Sequence, residues 1–414
     1  MKICILGAGV LGVTSAYYLA QRGHEVRVID RQSEAARETS FANGGQLSYS
    51  HAEPWANPHV FPLLFKWMWM EDAPLVLRPR ADMAMMRWGL EFLYNCLPAR
   101  AKRHSEVLWR LGRYSKEKME DIITDTGIDF HFVDKGILHV FSTQKAFDHA
   151  CAQSRYQESL GCHETILSVS DCFRMEPSLQ HSAKKIYGGI HAPIDASGDI
   201  HVFTKKLAEL CTARYGTRFD YNVDVEGLVS DAGRITSVRT SSGDITADAY
   251  VMSLGSYSPL YLKQVGIRAP IYPMKGYSVT FDANDATPQI SITDAELKVV
   301  YSRLGDKIRV AGTAEFAGYN TAIRKARIDP IMRGVNALFP KADLRNTSEW
   351  ACLRPSTPDG PPIIGATRHH NLYMNTGHGT LGWTQAAGSA RLLADVIEGK
   401  TPEISLAGLT LDRY

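Results

Sequence analysis

Seven cysteines in 414 residues, odd in number and scattered, leave little from which to build a disulfide framework. They are Cys4, Cys96, Cys151, Cys162, Cys172, Cys211 and Cys352, and none stands in a CxxC or other metal-ligand spacing, so no metal site is expected. Excess charge is also lacking. The 46 Lys and Arg against 44 Asp and Glu give a net charge of +2, interleaved and without a long basic block, which argues against a nucleic-acid partner. There is no internal repeat and no low-complexity linker. No apolar run is both long enough and free enough of Gly and Pro to span a bilayer. The first apolar stretch is not read as a secretory signal, because three glycines interrupt it and it runs on into a polar helix end and another strand. What remains is an ordinary globular composition, long enough for two domains, with free thiols that fit a cytoplasmic, reducing setting.

The richest stretch is Ile3 to Asp30. An apolar strand, Lys2 to Leu6, runs into Gly7-Ala8-Gly9-Val10-Leu11-Gly12. A helix follows, ending at Gly23, and a second strand, Glu25 to Ile29, ends in Asp30. This is a dinucleotide-binding fingerprint in its strand–turn–helix–strand context, not an isolated glycine pattern. Gly7 permits the tight turn, Gly9 lets backbone approach a pyrophosphate, and Gly12 lets helix and strand pack closely. The helix start offers N–H groups and a positive dipole end to the diphosphate. Asp30 is placed to accept from a ribose hydroxyl, and its charge disfavours a 2′-phosphate.

Two more pieces complete this domain. A helix over Val202 to Arg214 leads to a strand over Arg218 to Val225. A hairpin follows over Val229 to Thr240 and Asp244 to Ala249, and then an apolar strand ending at Gly255. That last strand is expected beside the first. Near the C-terminus, a strand over Asn371 to Asn375 enters a second Gly-rich loop containing Gly377, His378, Gly379, Thr380, Leu381 and Gly382. A helix over Thr384 to Glu398 follows, with Leu392, Leu393, Val396 and Ile397 inward. Two strand–loop–helix units at opposite ends of one chain point to a large dinucleotide gripped from both sides, and FAD fits better than NAD. The second helix dipole would favour a flavin that becomes anionic on reduction.

The fold class is thus α/β: a Rossmann-type FAD-binding domain from residues 1–50, 171–264 and 346–414. A discontinuous α+β substrate domain, on a mostly antiparallel sheet, takes 51–170 and 265–345. Its strands are expected over Ile271 to Phe281, Lys298 to Arg303 and Lys307 to Gly312. Trp55 to Met70 is unusually rich in aromatics and Met. It reads either as a buried wall of the substrate domain or as an interfacial segment.

Longer motifs extend the picture. They are Ile5 to Val13, Glu38-Thr-Ser-Phe-Ala-Asn-Gly-Gly-Gln46, Ala52 to Ala56, Tyr272-Pro-Met-Lys-Gly-Tyr-Ser278, Leu353-Arg-Pro-Ser-Thr-Pro-Asp-Gly360 and Asn375 to Trp383. Through them the whole chain resembles the FAD-dependent D-amino acid oxidase-like family of amine oxidoreductases, which includes glycine and sarcosine oxidases. Gly44-Gly45 departs from the Ala-Gly frequent in that family, and the chain lacks the longer tail that some members carry.

The resemblance implies oxidative deamination of a D-amino acid to a 2-oxo acid and ammonia, by hydride transfer from Cα to flavin N5. Electrons would pass to a quinone-linked or artificial acceptor. It also implies peripheral contact with the cytoplasmic face of the inner membrane, through residues 55–70. An oxygen-using oxidase of glycine, sarcosine or a D-proline-type imino acid is the alternative. A non-catalytic flavin protein and an NAD-dependent dehydrogenase are further ones, opposed by Arg354 and by the second Gly-rich loop.

By the same resemblance Arg354 pairs with the substrate carboxylate, a role suited to a planar, permanently charged fork. His378 would face the flavin and orient substrate or tune charge, against a plain packing role. Arg31, Ser40, Asn43, Gly44, Gly45 and Gln46 would touch the cofactor, as would Gly255 and the Gly377–Gly382 loop. Ser and Asn also serve simply as caps and turns. Asp359 would hold Arg354 or a backbone turn. Lys275, Tyr277, Tyr257 and Tyr301 are candidates for lining the substrate pocket, although strand tyrosines are commonly core.

Overall fold

The computed structural model describes residues 1–50, 53–60, 73–78, 80–158 and 163–414. Two sheets carry the chain. The smaller has six strands in the order Ile363–Ala366, Leu372–Thr376, Ala249–Met252, Lys2–Leu6, Glu25–Ile29 and Arg218–Asp220. All neighbours are parallel except the first pair. Alternation of side chains across a strand sends Ile3 and Ile5 into one core and Cys4 and Leu6 into the other. This is why the central strand reads as a continuous apolar run.

Helices Val10–Gln21, Pro98–Thr126, Ile200–Tyr215 and Gly382–Ile397 pack on the first face. The hairpin of Val225–Asp231 and Arg234–Thr240 covers the second. Local chemistry sets the helix limits. Asp199 caps helix Ile200–Tyr215 by accepting from the N–H groups of His201 and Val202, and Gly216 ends it in the left-handed region.

The larger sheet has nine strands and is antiparallel except where Leu75–Leu77 meets Lys307–Phe316 and where Ser291–Asp294 meets Ile137–Phe141. Helix Lys325–Leu338 covers one of its faces. There Ile328, Ile331, Val335 and Leu338 recur at helical spacing against Tyr277, Val279, Phe281 and Val310. Strands Gly188–Ala192 and Ser348–Ser356 pair within this sheet although they fall in 171–264 and 346–414. Helix Pro98–Thr126, from the 51–170 segment, packs in the core of the smaller sheet.

Two local expectations fail. The strand from Arg218 breaks after Asp220, because Asn222 takes a positive φ and turns the chain. Of Asp244 to Ala249, Ile245 alone bridges to Val238 before the next strand begins at Ala249. The helix from Gly382 keeps Leu392, Leu393 and Ile397 buried, with Val396 half-buried. Of the aromatic stretch 55–70, residues 61–70 lie outside the described residues; Trp55 packs against a small cluster that contains Val60. Among the described residues no helix is long and apolar enough to cross a membrane.

Candidate active site

A cleft of about 1390 Å³ opens at the carboxyl ends of the parallel strands, between the two sheets. The turns that follow four of those strands line it: Gly7, Gly9, Val10 and Leu11; Asp30 and Arg31; Ser253 to Tyr257; and Thr376, His378, Gly379, Thr380 and Gly382. The larger sheet supplies the opposite wall with Gly276, Ala311 and Cys352 to Pro355.

The first turn is built by close contact. A Cβ on Gly12 would stand 1.8 Å from the Gly7 carbonyl oxygen, so only glycine lets helix Val10–Gln21 sit this near its strand. Neither that helix nor Gly382–Ile397 carries a side-chain cap. First-turn N–H groups in both are therefore oriented for an anion. Ser40 accepts from the Val10 N–H at 3.0 Å. Asp30 accepts from Ala8 N–H at 2.7 Å and from Gln32 N–H at 2.8 Å, which pins the glycine turn to the end of the second strand. Burial pushes its carboxyl pKa up, partly offset by those two donors. Each carboxylate oxygen still has a lone pair for a ribose hydroxyl. Arg31 pairs with Glu38 and lies 4.2 Å over the Tyr257 ring.

The cradle fits a large polar cofactor. Ser253 Oγ, Asn375 Oδ1, His378 Nδ1 and Trp383 Nε1 are buried without a hydrogen-bond partner among the described residues, and all four side chains belong to the cleft lining. Buried polar atoms are ordinarily satisfied, so this cluster fits a ligand rich in hydrogen-bonding groups, as FAD is. The loop Ala42 to Gly45 is seated on the larger sheet. Ser278 Oγ donates to Ala42 O, Arg309 to Asn43 O, and Ser302 Oγ to Gly44 O.

Arg354 is the electrostatic centre of the cleft. No hydrogen bond or ion pair engages it among the described residues, and burial lowers its pKa. Its guanidinium lies over Gly276, whose Cβ would fall 2.5 Å from the guanidinium carbon. Its strand is fixed from the dinucleotide side, since Thr39 and Ser256 hydroxyls both donate to Leu353 O at 3.0 Å. A half-buried cation without a counter-charge is costly, and a bidentate carboxylate is its natural complement.

His378 lines the same cleft but is 2% exposed, and burial holds its pKa down to about 3. Its Nε2 meets Ser389 Oγ at 2.8 Å. It is a neutral, packed imidazole at physiological pH.

Of the other expected residues, Tyr277 joins the cleft lining, although its hydroxyl is bonded to Glu315, and the rest lie elsewhere. Lys275 and Tyr277 alternate with Met274 and Gly276 along strand Tyr272–Asp282, so their side chains take the opposite face of the sheet. Lys275 Nζ pairs with Glu315 at 2.7 Å, and Tyr277 Oη donates to the same carboxylate at 2.8 Å. Tyr301 is buried against Phe339 in the core of the larger sheet and is not among the residues lining this cleft. Gln46 reaches Ser291 and Thr293, away from the cleft, and Leu381 serves as the N-cap of helix Gly382–Ile397. Asp359 holds neither Arg354 nor a lone turn; it pairs with Arg413 at 2.7 Å and accepts from Tyr414.

The cleft also takes Thr39 and Asn375, which the motifs contain without a role assigned, and Val223 to Val225 and Ser256, which they do not contain. The segment from Val223 follows the edge strand Arg218–Asp220, and the rule that ligands gather at the carboxyl ends of parallel strands would have found it.

A D-amino acid dehydrogenase from Granulibacter bethesdensis is 45% identical over 417 residues, covering 100% of both chains. One from Paramagnetospirillum magneticum is 46% identical, covering 100% of this chain and 99% of its own. In fold, the chain is similar to glycine oxidase from Bacillus cereus. That likeness has a TM-score of 0.77 at 22% identity, over 100% of this chain and 99% of the other. The family model described as FAD dependent oxidoreductase (DAO) matches residues 2–396, and the chain belongs to that family.

Proposed function

We infer that the chain oxidises D-amino acids at Cα to 2-oxo acids and ammonia, as an FAD-dependent dehydrogenase. The observation that carries this reading is Arg354, a half-buried guanidinium with no partner among the described residues, facing a cleft framed by two Gly-rich turns. The names of relatives at 45% and 46% identity over the full length support the D-amino acid as substrate. FAD, when bound, supplies the capacity to accept a hydride equivalent.

The protein's own residues supply position. The fork of Arg354 takes the substrate carboxylate through two parallel N–H···O bonds. The hydroxyls of Thr39 and Ser256, by fixing Leu353 O, hold that fork in place. The Gly7–Gly12 turn, Asp30, Ser40, Asn43, Gly44, Gly255 and the Gly377–Gly382 turn would hold the cofactor. His378 takes no proton near neutral pH, so the amine must arrive neutral. Electrons leave to a quinone-linked acceptor, a reading supported by relatives named dehydrogenases rather than oxidases. The chain acts as the catalytic small subunit of such an enzyme. It touches the cytoplasmic face of the inner membrane peripherally, which the exposed Met83, Met86 and Leu90 support.

The test is anaerobic bleaching of the flavin absorbance with matched D- and L-amino acids. Bleaching by D-enantiomers alone is expected, with slow recovery in air and fast recovery with a quinone analogue. Bleaching by neither enantiomer would overturn the substrate, and rapid peroxide formation in air would overturn the acceptor.

A further inference from the structure

The sheet face that presents Arg354 continues beyond the cleft. In the pairing of Tyr272–Asp282 with Ser348–Ser356, Met274 stands opposite Arg354 and Tyr272 opposite Ser356. Residues two apart share a face, so Met274 and Ser356 flank Arg354 on the side away from Gly276.

Both are walls of a second, partly open cavity, which Trp55, Leu75, Trp88, Phe92 and Phe316 also line. The one polar anchor here is already used: the Trp88 indole N–H donates to Ser356 O at 2.9 Å. The Trp88 ring stacks on Phe92 at 5.2 Å and meets Phe316 at 4.8 Å. Arg80, the charged residue on this wall, donates to Ala317 O at 2.6 Å. Among the described residues the cavity therefore offers mainly aromatic, aliphatic and thioether surface, with Arg80 the one charged side chain on its wall.

We propose that this cavity is the substrate side-chain subsite and selects D-amino acids with large apolar or aromatic side chains. D-Phenylalanine, D-methionine and D-leucine are favoured over D-alanine. The proposal rests on the reading of Arg354 as the carboxylate anchor. With the carboxylate there, a side chain directed along Met274 enters the cavity. Each methylene it buries favours binding about fourfold.

Gly89 supplies the test. It lies on helix Met83–Asn95 and lines the cavity, and a Cβ added to it meets no atom within 4 Å. A larger side chain has room to enter the cavity, and replacing a mid-helix glycine favours the helix. The measurements are anaerobic flavin reduction of the holoenzyme by D-phenylalanine, D-methionine and D-alanine, and calorimetric binding of 3-phenylpropanoate and propanoate. These last two carry carboxylate and side chain but no reactive amine.

D-Phenylalanine should be preferred to D-alanine at least tenfold, and 3-phenylpropanoate should bind at least tenfold tighter than propanoate. Gly89→Trp should shrink both preferences tenfold or more, with Gly89→Leu intermediate. Thermal unfolding and flavin content will certify that both variants fold. Equal use of D-alanine and D-phenylalanine would overturn the subsite. So would variants that leave both ratios intact, or that slow only reoxidation by a quinone analogue; the latter would assign the cavity to the electron acceptor. Failure of every D-amino acid to reduce the flavin is a different result and would sink the D-amino acid reading itself.

Discussion

Lys275 and Arg354 sit on adjoining strands of one sheet, and their surroundings differ in one decisive respect. Lys275 is fully buried, but Glu315 neutralises it, Tyr277 shares that carboxylate and the Ala322 carbonyl accepts from its ammonium. Burial would raise the pKa of Glu315; the bonds from Lys275 and Tyr277 outweigh it and hold the carboxyl below its usual range. Arg354, on the other face, is half-buried in the cleft wall, yet no carboxylate answers it among the described residues. One cation is part of the fold's own bookkeeping, while the other is held in readiness. A buried charge is evidence of a binding site only when the protein does not complete its neutralisation itself.

The contrast breaks most sharply on Arg354→Leu. Catalytic efficiency toward D-amino acids should fall by about 10²–10³-fold, the usual loss when a buried charge pair is truncated at a binding site. Thermal stability should hold or rise, because an unpaired half-buried cation is removed. A loss of stability with retained activity would exchange the roles of the two residues. Lys275→Met should do the reverse. It leaves Glu315 short of its nearest cation and should cost about 3 kcal/mol in denaturant unfolding, the low end for a broken buried pair. Arg78 and Arg324 still stand 3.4 and 3.9 Å from that carboxylate. Flavin reduction by the variant that remains folded should be little changed.

Much of this arrangement can be read from the sequence, for a physical reason. Turns such as Gly7 to Gly12 and Gly377 to Gly382 depend on local backbone geometry, and local geometry is written in local residues. Strand Lys2–Leu6 is likewise announced by its apolar run. The face taken by Lys275 is another matter. The two-residue alternation of Tyr272 to Ser278 separates Lys275 and Tyr277 from Met274 and Gly276, but it does not say which set meets the cleft. That depends on helix Lys325–Leu338, about fifty residues away, covering one face. The same distance hides the partner of Asp359, which is Arg413. Tyr301 illustrates the general hazard: an aromatic in a strand advertises burial, and nothing local says against what.

Gly276→Ala probes the comparison more gently. The backbone there is not in the left-handed region, so alanine fits the strand itself. Its methyl, however, would meet the Arg354 guanidinium at 2.5 Å and push the fork aside. Displacement on the order of 1 Å in a positioning group costs up to about 10²-fold. The expected loss is therefore roughly 10- to 100-fold in efficiency, with unfolding barely shifted. An unchanged efficiency would mean that the fork is free to reposition and is not pre-set by Gly276.

The smallest effect belongs to His378, and it sharpens the comparison by separating a buried group that is charged from one that is not. Burial alone drives its pKa to about 3. Its folded pKa thus lies below the ordinary value near 6.5. As pH falls through that ordinary value, the unfolded chain gains a proton that the native imidazole refuses. This residue's contribution to stability is therefore full above about 6.5 and declines as pH falls toward 3. For the reaction, His378 does not titrate between pH 6 and 9, and Arg354 stays charged across that range. The pH profile of flavin reduction should rise only with deprotonation of the substrate amine, and His378→Gln should leave that profile's shape intact with less than about a threefold change in rate. A lost limb near pH 6 to 7 in the variant would identify His378 as a proton acceptor, and the neutrality argued from its burial would have to be abandoned.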